Sequence, residues 1–158
     1  EIVLRLSEMM RYMLYESNEK KVPLEKEVKY IQNYLELERI RYGDKADIQF
    51  EYSGERPDSY LITPLLFIPF LENAFKHGLS NSISQGYVHI SMIVAEGEIQ
   101  FDITNSKSHE PKDDNYYQGG IGLKNVSRRL ELIYKDQYNL KIKDEVDNYT
   151  VSLNIEFA

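Results

Sequence analysis

Apolar residues recur every three or four positions through "IVLRLSEMMRYMLYES", at Val3, Leu6, Met10, Met13 and Leu14, which is the stripe of an amphipathic helix. "SNEKKVP" breaks the pattern, and Pro23 suits the first turn of a second helix. That helix, "LEKEVKYIQNYLELERIRYG", carries Leu24, Val28, Ile31, Leu35 and Leu37 on its stripe and ends at Gly43. Two helices with so short a connection are expected to pack antiparallel. Neither can bury its stripe alone, so a partner surface is implied: the domain that follows, or a second subunit.

From about residue 46 the period changes. "DIQFEY" alternates as a strand does, and residues 64–78, "PLLFIPFLENAFKHG", read as a helix of roughly four turns. "YVHISMIVAEGEIQFDITNS" reads as two strands around the turn "EGE", and "GLKNVSRRLELIYK" as a further helix. The strands "YNLKIKD" and "YTVSLNIEF" follow, joined through "EVDN". Helices and strands mix without strict alternation, which predicts an α+β fold, a two-layer α/β sandwich preceded by two helices. The organisation expected is a helical region over residues 1–43 and a domain over 44–158.

Composition narrows the classes. The chain has 158 residues, 42% of them apolar, enough for one real core and too many for a disordered chain. A formal net charge of −7 opposes nonspecific nucleic-acid binding, so no nucleic-acid partner is expected. It does not oppose a nucleotide, because Mg²⁺ and a helix N-terminus hold phosphates locally. The absence of cysteine excludes disulfides and thiolate metal sites. The chain opens on "EIVLRLSEMM", inside what reads as a helix, as expected of a piece of a longer protein whose membrane segments lie elsewhere.

Two stretches carry candidate chemistry. On the helix at 64–78, Phe67, Phe70, Leu71, Ala74 and Phe75 fall on one side, and Glu72, Asn73, Lys76 and His77 gather on the other. A solvated face with a Glu72–Lys76 pair, worth a few tenths of a kcal/mol, is one reading; an asparagine inside a helix is unfavourable and hints at another. Further on, "QGGIGLKN" leads glycines straight into a helix, where backbone N–H groups can approach an anion. It is neither a Walker A motif nor a Rossmann turn. The polar stretch before it, "KSHEPKDDNYYQGG", is long for a loop and suits a lid.

Taken together, "FLENAFKHG", "FDITNS" and "GGIGLKNVSRRLELIY" resemble the boxes of the ATP-binding domain shared by histidine kinases, gyrase and mismatch-repair ATPases, the GHKL superfamily. "LSEMMRYMLYES" with "VPLEKEVKYIQNYLELERIRYGD" narrows the resemblance to sensor histidine kinases of the LytS/YehU type. The resemblance implies ATP and Mg²⁺ as cofactors. Asn73 would ligate Mg²⁺ bridging the phosphates, an oxygen ligand for a hard cation. Glu72 would assist proton removal from the phosphoacceptor histidine. Lys76 would face phosphate and His77 would shape the nucleotide pocket, or alternatively satisfy carbonyls at the helix end. Residues 106–118 would form the lid, Gly120 and Gly122 would let it close, and Leu123, Lys124 and Asn125 would line the entry to the next helix. Arg128 and Arg129 could reach phosphate or serve an interface.

Strand alternation gives Phe101, Ile103 and Asn105 one facing. Asn105 stands where most of the superfamily carry the aspartate that accepts a hydrogen bond from the adenine amino group. An amide oxygen can accept that bond without burying a charge, though with less strength. The glycine that usually follows is replaced in "NSKSH".

The three histidines are His77, His89 and His109, none of them on the N-terminal helices. The phosphoacceptor is therefore expected upstream, and this stretch alone is expected to bind ATP without phosphorylating itself. The partners implied are a response regulator receiver domain and, in the full-length protein, a second copy as homodimer, on the cytoplasmic side of a bacterial inner membrane. Rival readings are another ATPase of the same fold and a degenerate scaffold without ATP turnover.

Overall fold

The computed structural model describes residues 1–79, 85–108 and 120–157. Helix α1 (Ile2–Arg11) ends in a π-helical turn over Tyr12–Glu16, and α2 spans Leu24–Tyr42. Arg5 meets Asn33, Glu8 meets Lys29, and Tyr12 meets Glu27, a descending order that makes the two helices antiparallel, as their short connection demands.

A mixed five-stranded sheet follows in the order β2-β4-β5-β7-β6, with β2 at Ala46–Gly54, β4 at Gly86–Ala95, β5 at Glu98–Ser106, β6 at Tyr138–Asp144 and β7 at Asn148–Glu156. Only β2 and β4 pair in parallel, which requires a crossover, and α3 (Ile68–Gly78) supplies it. The other pairings are antiparallel. The β4–β5 hairpin turns on Glu96 and Gly97, both at positive φ, as a two-residue turn matched to strand twist requires. A short pair, β1 (Val22–Pro23) with β3 (Leu61–Ile62), ties the start of α2 to the segment before α3.

One face of the sheet is apolar: Val88, Ile90, Met92 and Val94 of β4, Ile99, Phe101 and Ile103 of β5, and Val151, Leu153 and Ile155 of β7 are all buried. Helix α3 lies on it with Phe67 and Phe70 against Phe101, ring centroids 4.8 and 6.2 Å apart, and α4 (Gly120–Ile133) joins it through Val126 and Leu130. The opposite face is polar, with Thr104 bonded to Thr150 at 3.0 Å and Gln100 to Asp102 and Asn154 at 3.2 Å. This is the expected two-layer α+β sandwich.

One expectation needs amending, and one open alternative narrows. The helix at 64–78 begins only at Ile68, and so runs three turns. Leu65 sits at φ +55°, a left-handed conformation that no right-handed helix can pass through. Pro69 instead occupies the first turn, where its missing N–H has no helical partner to lose. The stripe of α1 does not reach the core: Val3, Leu6, Met10, Met13 and Leu14 are exposed, and it is Met9 and Tyr12 that pack inward. The stripe of α2 is covered as expected, with Leu24, Val28, Ile31 and Leu35 all buried against the domain.

Candidate nucleotide site

The chemistry of α3 follows from its two faces. Phe70, Leu71, Ala74, Phe75 and Gly78 are buried. Glu72 and Lys76 are exposed, with Asn73 and His77 half-buried beside them. The apolar side holds the helix to the sheet, so the four polar side chains are presented from a rigid base. Tyr34 and Tyr42 of α2 flank the same helix, their rings 5.8 and 5.9 Å from Phe75.

Glu72 feels that neighbour. Surrounding protein desolvates its carboxyl and lifts its pKa above the ordinary carboxylate value, although the residue keeps an open surface. The hydroxyls of Tyr30 and Tyr34 are pushed up as well, chiefly by burial, then by the Glu72 charge at Tyr30 and by the Glu38 and Glu72 charges at Tyr34.

Asn105 points to the helix layer, as alternation predicts, and is 1% exposed. It lies under the last residue of α3, Gly78, and its Nδ2 donates to Ser106 O at 2.9 Å. Ser106 uses its hydroxyl to accept the Tyr87 N–H at 2.9 Å, joining β5 to the start of β4.

Helix α4 begins at Gly120, so Gly122 lies inside its first turn. A Cβ there would meet nothing within 4 Å, so this backbone conformation does not itself require glycine. Lys124 and Asn125 are exposed, while Leu123 packs partly against the core. The first-turn N–H groups of such a helix have no helical acceptor, which suits an anion. Most of the expected lid, with His109, falls at 109–119 and lies outside the described residues.

The segment that leads into α3 is held by residues from other elements. Arg129, expected either to reach phosphate or to serve an interface, donates from α4 to Pro64 O at 2.9 Å and Leu65 O at 3.3 Å. Tyr134, Lys21 and Glu27 were not singled out by sequence reading. Tyr134 bonds to the Thr63 N–H and hydroxyl, both at 3.0 Å, and Lys21 donates to the Tyr134 hydroxyl at 3.0 Å. Glu27, fully buried on α2, accepts the Leu65 N–H at 2.7 Å and the Tyr12 hydroxyl. Nothing in the periodicity of α2 distinguishes Glu27 from its exposed neighbour Glu25.

No group of three or more His, Cys, Asp or Glu among the described residues could hold a metal by itself. A Mg²⁺ ion, which keeps several waters and takes one or two protein ligands with phosphate oxygens, needs no such cage. The half-buried Asn73 carboxamide beside Glu72 and Lys76 fits that role.

Comparison with known proteins bears on family and fold. Residues 1–46 match the family described as histidine kinase. The sensor histidine kinase YpdA of Escherichia coli (strain K12) is 26% identical over 148 residues, 89% of this chain and 26% of that protein. The sensor protein LytS of Oceanobacillus iheyensis is 30% identical over 159 residues, 90% of this chain and 26% of that protein. The chain spans about a quarter of the length of these curated relatives. Among solved structures, the histidine kinase domain of the Erythrobacter litoralis EL346 blue-light activated kinase matches with a TM-score of 0.62 at 17% identity, covering 99% of this chain and 73% of that one. Histidine kinase ThkA in complex with response regulator protein TrrA matches with a TM-score of 0.56 at 14% identity, covering 99% of this chain and 48% of that one. Both show the fold.

Proposed function

Because this chain is related to the sensor histidine kinases of the LytS type, and has the fold of their catalytic domains, we propose that it is the ATP-binding catalytic part of such a kinase. In the intact protein the γ-phosphate of ATP passes to a histidine upstream and then to an aspartate of a response regulator. Residues 44–158 are the ATP-binding domain, and residues 1–43 belong to the region that dimerises and carries the phosphoacceptor.

The observation that carries this reading is the pair Glu72–Asn73, turned outward on a helix whose other face is locked into the sheet. Asn73 holds Mg²⁺ with the phosphates, and Lys76 adds positive charge nearby. His77 shapes the pocket and Asn105 forms its floor. Glu72 takes up the proton that the attacking histidine nitrogen must lose, a role its raised pKa favours. Gly120, Gly122, Leu123, Lys124 and Asn125 border the phosphates at the start of α4. Phosphoryl transfer asks little covalent chemistry of the protein; positioning and charge do most of the work.

The exposed stripe of α1 supports a second copy as the surface that covers it, since the following domain does not. Among the described residues no helix is long and apolar enough to cross a membrane, so any membrane anchor belongs to other segments.

Calorimetry with ATP, with and without Mg²⁺, tests the reading. Mg²⁺-dependent binding that disappears in Asn73→Ala is the expected result, and a chain that gives no heat with Mg²⁺-ATP refutes it. The isolated 158-residue chain should also acquire no acid-labile phosphate, because none of its histidines lies on α1 or α2. One observation favours a second reading, a degenerate scaffold: the Asn105 amide is already bonded to Ser106 O and almost fully covered. The same titration separates the two.

A further inference from the structure

The segment Thr63–Leu66, which launches α3, is gripped from three directions. From α2, the Glu27 carboxylate receives the Leu65 N–H at 2.7 Å. From α4, Arg129 takes the carbonyls of Pro64 and Leu65. From the end of α4, the Tyr134 hydroxyl takes Thr63. These contacts stabilise Leu65 in its left-handed conformation, which is unfavourable for a residue with a Cβ.

Glu27 is the unusual member. It is fully buried, and among the described residues its Oε2 meets no hydrogen-bond partner within normal geometry, although the Leu66 N–H and the Arg129 charge also act on the carboxyl. A buried carboxylate is a poor stabiliser unless such partners hold it. Its side-chain hydrogen-bond donor is the Tyr12 hydroxyl, which belongs to the π-helical turn closing α1. Turns of that kind are rare and concentrate at functional sites. Tyr12 and Leu65 therefore share a single oxygen, Glu27 Oε1, although they lie on different structural units.

We propose that Glu27 is a positioning residue for the nucleotide site: through Leu65 it sets where α3 begins, and through Tyr12 it makes that setting depend on the first helix. A shift of α1 that withdraws the Tyr12 hydroxyl changes the direction in which the carboxyl holding Leu65 points. Asn73 and Glu72 ride on the same rigid helix and move with its start. Arg129 applies the same constraint from α4, the helix that follows the candidate lid. The inference rests on the function proposed above and adds to it the joint by which the helical region governs Mg²⁺-ATP binding.

Tyr12→Phe removes one hydroxyl from a residue that touches neither Asn73 nor Glu72, which makes it the decisive variant; Glu27→Gln and Glu27→Ala accompany it. In the 158-residue chain, well below its Tm, Tyr12→Phe should weaken Mg²⁺-ATP binding about fivefold by calorimetry and Glu27→Ala tenfold or more. Glu27→Gln, which keeps an oxygen for the Leu65 N–H, should recover most of the loss. The Mg²⁺-dependent part of the affinity should shrink, and amide exchange should quicken across residues 65–75 while β5 and β7 stay protected. A merely structural Glu27 predicts a lower Tm with the dissociation constant and the α3 exchange unchanged, and that result in Tyr12→Phe overturns the inference alone. A wild-type chain that binds no Mg²⁺-ATP overturns the functional reading and takes this inference with it. Should Glu27→Ala not fold, Tyr12→Phe decides.

Discussion

Gly78 closes α3 directly against Asn105: a Cβ at Gly78 would lie 2.7 Å from Asn105 Nδ2 and 3.0 Å from both Asn105 Cβ and Ser106 O. The glycine that ends the "FLENAFKHG" stretch is there for closeness of approach, and not for an unusual backbone angle, since its φ is not among the positive ones. Because Ser106 O is backbone and Asn105 is buried, neither neighbour can give way cheaply. Gly78→Ala should therefore lift the C-terminal end of α3 from β5, costing about 1–3 kcal/mol in urea unfolding. Mg²⁺-ATP affinity should fall along with stability.

Asn105 invites a test of its own. The GHKL resemblance suggests that Asn105→Asp would restore tighter base recognition. The structure predicts the opposite. Nδ2 donates to Ser106 O, and a carboxylate there would face that carbonyl oxygen with nothing to donate, in a site that is 1% exposed. A loss of about 1–3 kcal/mol in stability, without gain in nucleotide affinity, is expected. Tighter ATP binding in Asn105→Asp would show that the amide contact to Ser106 is dispensable.

Asn73 should behave in the reverse way. It is half-exposed on the outward side of α3, so Asn73→Ala is expected to change unfolding free energy by no more than about 0.5 kcal/mol while abolishing the Mg²⁺-dependent affinity. Denaturant melts and calorimetry on the same preparation decide it. A large loss of stability would mean that the side chain serves the fold.

Phe101 lies where α3 meets the sheet, in ring contact with Phe67 and Phe70 and fully buried. Phe101→Ala should cost about 3–5 kcal/mol, a large share of the roughly 5–15 kcal/mol that holds a domain of this size together. Circular dichroism melting should show a chain unfolded, or nearly so, at 37 °C.

Burial lifts the Glu27 carboxyl above its ordinary value, while the Tyr12 hydroxyl, the Leu65 and Leu66 N–H groups and the Arg129 charge pull it part of the way back. With the folded pKa above the unfolded one, the native state binds more protons than the unfolded chain between the two values. The contribution of Glu27 to stability is therefore greatest at low pH. It declines as pH rises from about 4.3 through the folded pKa, then levels off. Urea midpoints from pH 4 to 7 should move in favour of Glu27→Gln relative to wild type as pH rises. A difference that stays constant across that range would contradict the shift.

Much of this could be read from residue order. Helical period separated Phe70, Leu71, Ala74 and Phe75 from Glu72, Asn73, Lys76 and His77, because α3 is packed on one side only. Alternation put Asn105 on the inner face with Phe101 and Ile103 for the same reason. The true start of α3 was not legible, since the left-handed turn at Leu65 is imposed by Glu27 and Arg129, which come from elements 38 and 64 positions away. Nor could period say what covers α1: Val3 and Leu14 form an apolar face in either case, and only the packing of Met9 and Tyr12 shows which side meets α2. Arg129 could have served phosphate or an interface, because charge in a sequence carries no direction; its bonds to Pro64 O and Leu65 O supply it.

The sheet order has a kinetic corollary. Asn105 sits on β5, whose second neighbour is β7 at Asn148–Glu156, the last strand to be synthesised. Until those nine residues leave the ribosome, β5 is an open border and α3 has no finished surface to settle upon. The nucleotide pocket should thus mature late, and a ribosome stalled before residue 148 should present a chain unable to retain ATP although every proposed contact residue has already been made.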